Sequence, residues 1–178
     1  MPKFFAKYWI HAAIWGAMII YLVAAPSVHA HFLPSDGKPA PFTASLPATT
    51  KQVSKAVEHL DRVATSDQSL YSLSGWTFLR NDKVQSAYDV YVVLRSDRHT
   101  YFFLSTPFRR PGLNKNFPNV KFSLVNSGFR TNIARDALPA GSYTIGILFR
   151  HKSTGAMYLA WSTKSVVRTP NSLQLAAH

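Results

Sequence analysis

From Leu70 to about Val167, apolar and polar side chains trade places residue by residue, and this period of two limits the chain more than any other feature. "LYSLSGWTFL", starting at Leu70, is followed by "YDVYVVLRS", in which Tyr88, Val90, Val92 and Leu94 alternate with Asp89, Tyr91, Val93 and Arg95. Successive side chains of a strand point to opposite faces, so each run offers one face to a core. A polar turn, Ser96 to Arg98, leads into "TYFFLST", and the two runs predict a hairpin. "VKFSLVNSGFRTNI", then "SYTIGILFRHK" with Tyr143, Ile145, Ile147 and Phe149 on one face, then "MYLAWSTKSVV" continue the pattern. Short strands punctuated by turns predict an all-β chain, an antiparallel β-sandwich of immunoglobulin-like type with about seven to eight strands.

One motif favours the sandwich over a barrel. In "LPAGSYTIGILF", Leu138, Pro139 and Gly141 precede Tyr143 at the mouth of an apolar strand. A tyrosine so placed in a Greek-key sandwich packs its ring inward and hydrogen-bonds backbone a few residues upstream, closing a corner between the sheets.

Lys51 to Asp67 carries two readings. Val53, Val57, Leu60 and Ala64 have helical spacing, with Thr49 and Gln52 as a capping box, while "AVEHLDRVAT", Ala56 to Thr65, also reads as a first strand. Periodicity alone does not choose between them.

Ahead of this lies an export signal. Lys3 and Lys7 precede the apolar run Tyr8 to Ala25, whose length sits between a signal-peptide core and the ~20 residues that span a bilayer. Val28 and Ala30 have signal-peptidase spacing and favour cleavage before His31, whereas Tyr8 and Trp9 beside the lysines suit a retained anchor. Both outcomes place the rest of the chain outside the cytoplasm, in the periplasm or on the outer face of a bacterial inner membrane. The expected organisation is a signal or anchor helix over 1–30, an extended Pro/Ala/Ser/Thr-rich linker over 31–55, the sandwich over 56–169 and a peripheral tail over 170–178.

The formal net charge is +12 and there is no cysteine, so disulfides, thiolate metal sites and a cysteine nucleophile are excluded. Nucleic acid is not expected, because the chain is exported and has no basic helix or phosphate loop. An acidic envelope partner fits: anionic lipid head groups, acidic polysaccharide or the negative face of a protein. Equally, the same cations solvate the outer faces of strands.

The succession "HLDRVAT", "LYSLSGWTFL", "VYVVLRSDRHTYFF", "FRRPGLNKNF", "NSGFRTNI" and "LPAGSYTIGILF" resembles a small β domain associated with bacterial membrane proteins and glycosyltransferases of surface-polysaccharide assembly. The resemblance spans about Val57 to Val167 and is best at Gly75-Trp76, Ser127-Gly128-Phe129 and Gly141 to Tyr143. It implies a first strand around Leu60. The chain departs from the pattern at Gly112, where an acidic residue is expected after Arg-Pro, and no catalytic residues carry over.

The residues expected to matter follow from this. Gly75, Phe129, Gly141 and Tyr143 are structural. Arg109, Arg110 and Lys115 in "TPFRRPGLNKNF", with Arg98, form the expected partner- or anion-binding set, since guanidinium groups on a loop suit bidentate contacts with carboxylates or phosphates. A solvated turn is the plainer alternative. Trp76 and Trp161 are the candidate sugar platforms, Trp161 the more exposed of the two among Ser162, Thr163 and Lys164, although core packing also accounts for both. The few carboxylates sit beside turns or basic neighbours, and neither a Gly-x-Ser-x-Gly elbow nor a His-Glu-x-x-His helix occurs, so no enzyme and no cofactor are expected. The leading expectation is an exported accessory subunit docked on a membrane or envelope complex. A carbohydrate-binding module is the second. The third is a copper protein using the amine and imidazole of a mature amino-terminal His31 with a second histidine, His59, His99 or His151.

Overall fold

The computed structural model describes Trp15 and residues 50–52, 56–65, 69–80 and 85–176. The chain divides into two units, Met1–Leu33 and Pro34–His178, and the strands of the described residues belong to the second. The amino-terminal hydrophobic helix, its cleavage site and the linker as far as residue 49 lie outside the described residues apart from Trp15. Among the described residues no helix is long and apolar enough to cross a membrane.

Among the described residues ten strands follow one another: β1 (Lys51–Gln52), β2 (Ala56–Thr65), β3 (Leu70–Leu79), β4 (Tyr88–Arg95), β5 (Thr100–Leu104), β6 (Thr106–Phe108), β7 (Gly128–Ala134), β8 (Gly141–His151), β9 (Met157–Arg168) and β10 (Leu173–Leu175). They form two sheets. The first has the order β1-β9-β8-β4-β5 with β10 also on β9, and the second has the order β2-β3-β7-β6. Neighbours are antiparallel except β1, which runs parallel to β9.

One apolar cluster lies between the sheets. Leu60, Tyr71, Leu73, Phe129 and Ile133 from the four-stranded sheet meet Val92, Leu94, Phe103, Ile145, Ile147, Phe149 and Val166 from the six-stranded sheet. Most of these side chains are wholly buried, and each contributes roughly 1.5–3 kcal/mol through removal from water. The chain is an all-β sandwich, and the alternation that predicted it is what fills this layer.

Polar contacts close both flanks. On one side Ser162 donates to Glu58 at 2.7 Å and the Lys164 ammonium donates to the carbonyl of Leu60 at 3.2 Å, tying β9 to β2 across the sheets. On the other, the chain passes from β5 to β6 at Ser105, changing sheets there, and the buried hydroxyls of Ser105 and Thr131 share a 2.6 Å hydrogen bond. The Tyr143 hydroxyl donates to the carbonyl of Pro139 at 2.7 Å, the corner contact that the "LPAGSY" motif suggests. Gly75 is required by proximity: a Cβ there would lie 2.1 Å from the carbonyl oxygen of His59 and 3.0 Å from the Phe129 ring.

Three stretches differ from the sequence reading. Val120, Phe122 and Leu124 alternate as a strand would, yet only Gly128–Ala134 joins the sheet; the earlier residues lie as a loop whose apolar side chains cover the outside of β3. The stretch read as a peripheral tail supplies β10, and Leu173 enters the main core at 3 % exposure after a turn in which Ser172 donates its backbone N–H to the Thr169 hydroxyl. Lys51–Gln52, within the stretch read as linker, forms β1. Two or three residues are too few for periodicity to register.

Candidate functional site

Along β3, Tyr71 and Leu73 face the core, so Trp76 and Phe78 face outward. An outward Phe78 would ordinarily be wet, but it is wholly buried. The cover is the 109–127 segment, which lays Leu113, Phe117, Val120, Phe122 and Leu124 over it. Ring packing is edge-on: Phe117 lies 5.3 Å from Trp76 and 5.1 Å from Phe78, both T-shaped. Such pairs add about 0.5–1.5 kcal/mol beyond burial.

Backbone contacts hold this segment in place. Gly112 has φ of +89°, the left-handed region where glycine is favoured, and it turns the chain into the one-turn helix Leu113–Asn116. From that turn the Asn114 side chain donates to the Phe122 carbonyl at 2.7 Å and accepts from the Leu124 N–H at 2.8 Å, acting as a strand neighbour would. Arg110 N–H donates to the Val125 carbonyl at 2.6 Å. The "RRPG" turn is therefore fixed to the 122–125 run of the same segment.

A β-bulge supplies the acidic partner. Register slips between Leu60 and Arg62, so Asp61 is left without a partner on β3, and two consecutive residues lie between the core-facing Leu60 and Val63. Asp61 forms an ion pair with Arg110, with each side chain about one-third exposed, and lies 3.9 Å from His59 Nε2. His59, opposite Trp76 across the strands, stacks on it with ring centroids 5.6 Å apart. His59, Asp61, Trp76, Arg110, Pro111, Gly112, Leu113 and Asn116 line an open cleft of about 450 Å³.

The rim of this cleft is cationic. The guanidinium of Arg110 lies 5.6 Å from the centre of the Phe108 ring and that of Arg130 lies 5.8 Å from the same ring. Arg62 and Arg130 are both exposed and both stand opposite Ser74, on its two sides. Arg109 and Lys115 are exposed and have no carboxylate partner among the described residues. Among the described residues, five cations therefore stand on this loop and on the outer face of the strands beside it, and Asp61 there is already paired. A rigid surface of this composition attracts anions, and its unpaired guanidinium groups can take carboxylate or phosphate oxygens two at a time.

Arg109, Arg110 and Lys115 thus share one loop beside the cleft, and Trp76 lines it. Arg98 does not join them: it is exposed in the β4–β5 turn of the other sheet. Trp161 lies on the outside of the six-stranded sheet, where the Arg95 guanidinium sits 4.0 Å above its ring, so that face is already covered and the residue is half-buried. His31 lies outside the described residues. Among the described residues no three of His, Cys, Asp or Glu come together as a metal site, and His59 is engaged with Trp76 and Asp61. Phe129 and Tyr143 are buried.

Sequence reasoning missed Asp61, Arg62, Arg130, Asn114 and the part played by His59. Asp61 and Arg62 in succession on a strand were the available signal for the bulge; nothing local links Arg130 to a loop twenty residues earlier. No protein-family model, no curated protein and no solved structure matches this chain.

Proposed function

We propose that this chain is a non-catalytic, exported binding subunit that attaches through the cationic rim of the cleft to an acidic partner of the bacterial envelope, in the setting of surface-polysaccharide assembly. The observation that carries it is the fixed "RRPG" loop: Arg109 and Lys115 project from a segment held by Phe117, Asn114 and the Arg110–Asp61 pair. A turn that merely stayed in solution would need none of this. Loops held on a rigid scaffold are where recognition concentrates.

The fold behind it is immunoglobulin-like. A four-stranded sheet β2-β3-β7-β6 facing β9-β8-β4-β5, with β1 parallel to β9 and a tyrosine corner at Tyr143, supports that reading. The acids support a non-catalytic role: Glu58 takes a hydrogen bond from Ser162, Asp61 pairs with Arg110 and Asp89 lies 3.9 Å from Lys152. None of these is paired with another acid.

A test uses the full chain, gently extracted in detergent with whatever it is bound to, and compared with an Arg109→Glu, Lys115→Glu variant. Both side chains are exposed, so the fold should stand. The expected result is loss of the co-purifying acidic component, with the wild-type interaction weakening as salt is raised. Retention of the same component by the variant would refute the reading.

A second reading, carbohydrate binding, is favoured by one observation: Trp76 shares the cleft with Asp61, Arg110 and Asn116, an aromatic surface beside polar groups. Here Trp76, and not Trp161, is the platform. Glycan-array binding that is lost in Trp76→Ala but kept in Trp161→Ala would select it over the first.

A further inference from the structure

Two arginines from opposite sheets meet at one end of the sandwich. Arg135 follows directly on β7, in the four-stranded sheet, and its N–H donates to the Ser69 carbonyl at 2.9 Å. Arg168 closes β9, in the six-stranded sheet. Its Nη2 donates to the Arg135 carbonyl at 3.2 Å and its Nη1 to the Thr169 carbonyl at 2.7 Å, so the two residues come together although 33 positions separate them in the chain. Both guanidinium groups lie against one ring, that of Tyr71, with their carbons 5.1 Å and 5.9 Å from its centre.

The charge at this end is unbalanced. Among the described residues neither arginine has a carboxylate partner, and Asp136, next to Arg135 in sequence, is exposed and belongs to no ion pair. The Nε atoms of Arg135 and Arg168 and the hydroxyl of the wholly buried Tyr71 are enclosed without a hydrogen-bond partner. Folded proteins leave few such groups, and three of them around one ring need an explanation. A purely structural role accounts for only one arginine. Arg168 by itself supplies both the strut between the sheets and a cation against the Tyr71 ring. The Arg135 guanidinium donates no hydrogen bond among the described residues and is surplus to that role.

We propose that Arg135 and Arg168 form an anion site for a phosphomonoester, separate from the cleft. Both side chains are half-buried, and the terminal nitrogens of Arg135, unlike its Nε, are not enclosed, so they stand open to a ligand. Two positive charges with no acid between them call for a dianion. A phosphomonoester carries about −1.5 to −2 charges at pH 7 and three acceptor oxygens, where a carboxylate carries a single charge. The planar fork of arginine also meets phosphate oxygens two at a time. The site is distinct in place as well: Arg135 and Arg168 lie against Tyr71 on the core side of β3, whereas Trp76 and Arg110 line the cleft on its outside.

The test uses the full chain carrying Arg109→Glu and Lys115→Glu, so that the rim of the cleft does not contribute. Inorganic phosphate is compared with chloride at equal ionic strength by the shift each produces in the unfolding midpoint, which reports binding to the folded state. Phosphate is also excluded from protein surfaces and stabilises any fold to some extent, so the shift is read against the same chain with Arg135→Gln added. The phosphate-specific shift should be lost in Arg135→Gln and in Arg168→Gln, with the apparent affinity down about tenfold or more. Equal shifts in all three chains, or acetate acting as well as phosphate, overturn the proposal. The wild-type chain supplies a measurement that needs no variant to fold. Phosphate should slow phenylglyoxal modification of Arg135 severalfold, mapped by mass spectrometry, and leave the exposed Arg80 unaffected; equal slowing at both, or none at Arg135, overturns the proposal. Phosphatidylcholine vesicles containing phosphatidic acid separate the two sources of the group. Retention on them that Arg135→Gln abolishes assigns the phosphate to a lipid head group, and binding of inorganic phosphate without such retention assigns it to a soluble molecule.

Discussion

Tyr143 shows how one residue joins two elements. Its ring fills the core at 3 % exposure while its hydroxyl holds the Pro139 carbonyl, so the loop before β8 is fixed to the strand it opens. Tyr143→Phe keeps the ring and removes the bond; since Pro139 is exposed and water can reach its carbonyl, the expected loss is about 1 kcal/mol, read as a lower urea midpoint with unchanged slope. The phenol also titrates informatively. Burial, with the neighbouring Tyr101 adding to it and Arg168 opposing, raises its pKa above the ordinary 10.0. The fold therefore prefers the neutral form: its contribution is complete below about pH 10, where the unfolded phenol is also neutral, and is lost as pH rises through the raised value. The stability gap between wild type and Tyr143→Phe should accordingly narrow as pH rises above about 10, and a constant gap would argue against the burial account.

At the scale of an element, the 109–127 segment behaves as a fitted cover. Its apolar residues take the place that a third layer would fill, and one side chain, Asn114, bridges its two halves through the Phe122 carbonyl and the Leu124 N–H. Asn114→Ala leaves the Phe122 carbonyl and the Leu124 N–H without that partner, costing about 1–2 kcal/mol locally. Hydrogen exchange should quicken at Arg110 and Leu124 and remain slow at β3 amides such as Leu73. Gly112→Ala is a different case: there is room for a Cβ, but φ of +89° is unfavourable for alanine, so a strain of roughly 1 kcal/mol is expected. Calorimetry of the two variants, alone and combined, should give losses that do not add, because both act on one turn.

At the scale of the whole molecule, the two outer faces differ in chemistry. The four-stranded sheet presents a cationic rim, and the outer side of the six-stranded sheet carries the apolar cluster of Tyr91, Val93, Phe102, Leu148 and Leu159. Exposed charges interact over a Debye length of ~10 Å at 0.1 M salt and ~3 Å at 1 M. Binding to an acidic polysaccharide or anionic vesicle should thus fall steeply with salt for wild type and only weakly for Arg109→Glu, Lys115→Glu, whereas Arg98→Glu, on the other sheet, should leave it nearly unchanged. An effect of Arg98→Glu about half that of the double variant, in proportion to the charge each changes, would mean that net charge, and not the rim, is what binds.

What the chain settles by itself is the alternation from Leu70 onward, and with it the sandwich, the β4–β5 hairpin and the corner at Tyr143, because the strand period and turn chemistry are local properties. The same alternation misled at Val120, Phe122 and Leu124, where an apolar face was read correctly but its partner was the outside of β3. Arg109, Arg110 and Lys115 were legible as a cluster since they are neighbours in sequence. Asp61, Arg130 and His59 join them only through pairings of β2, β3 and β7, and the half-burial of Trp161 comes from Arg95 on a strand two places away. Such contacts depend on which strands lie side by side and on a one-residue slip in register, and only the packed tertiary structure decides both.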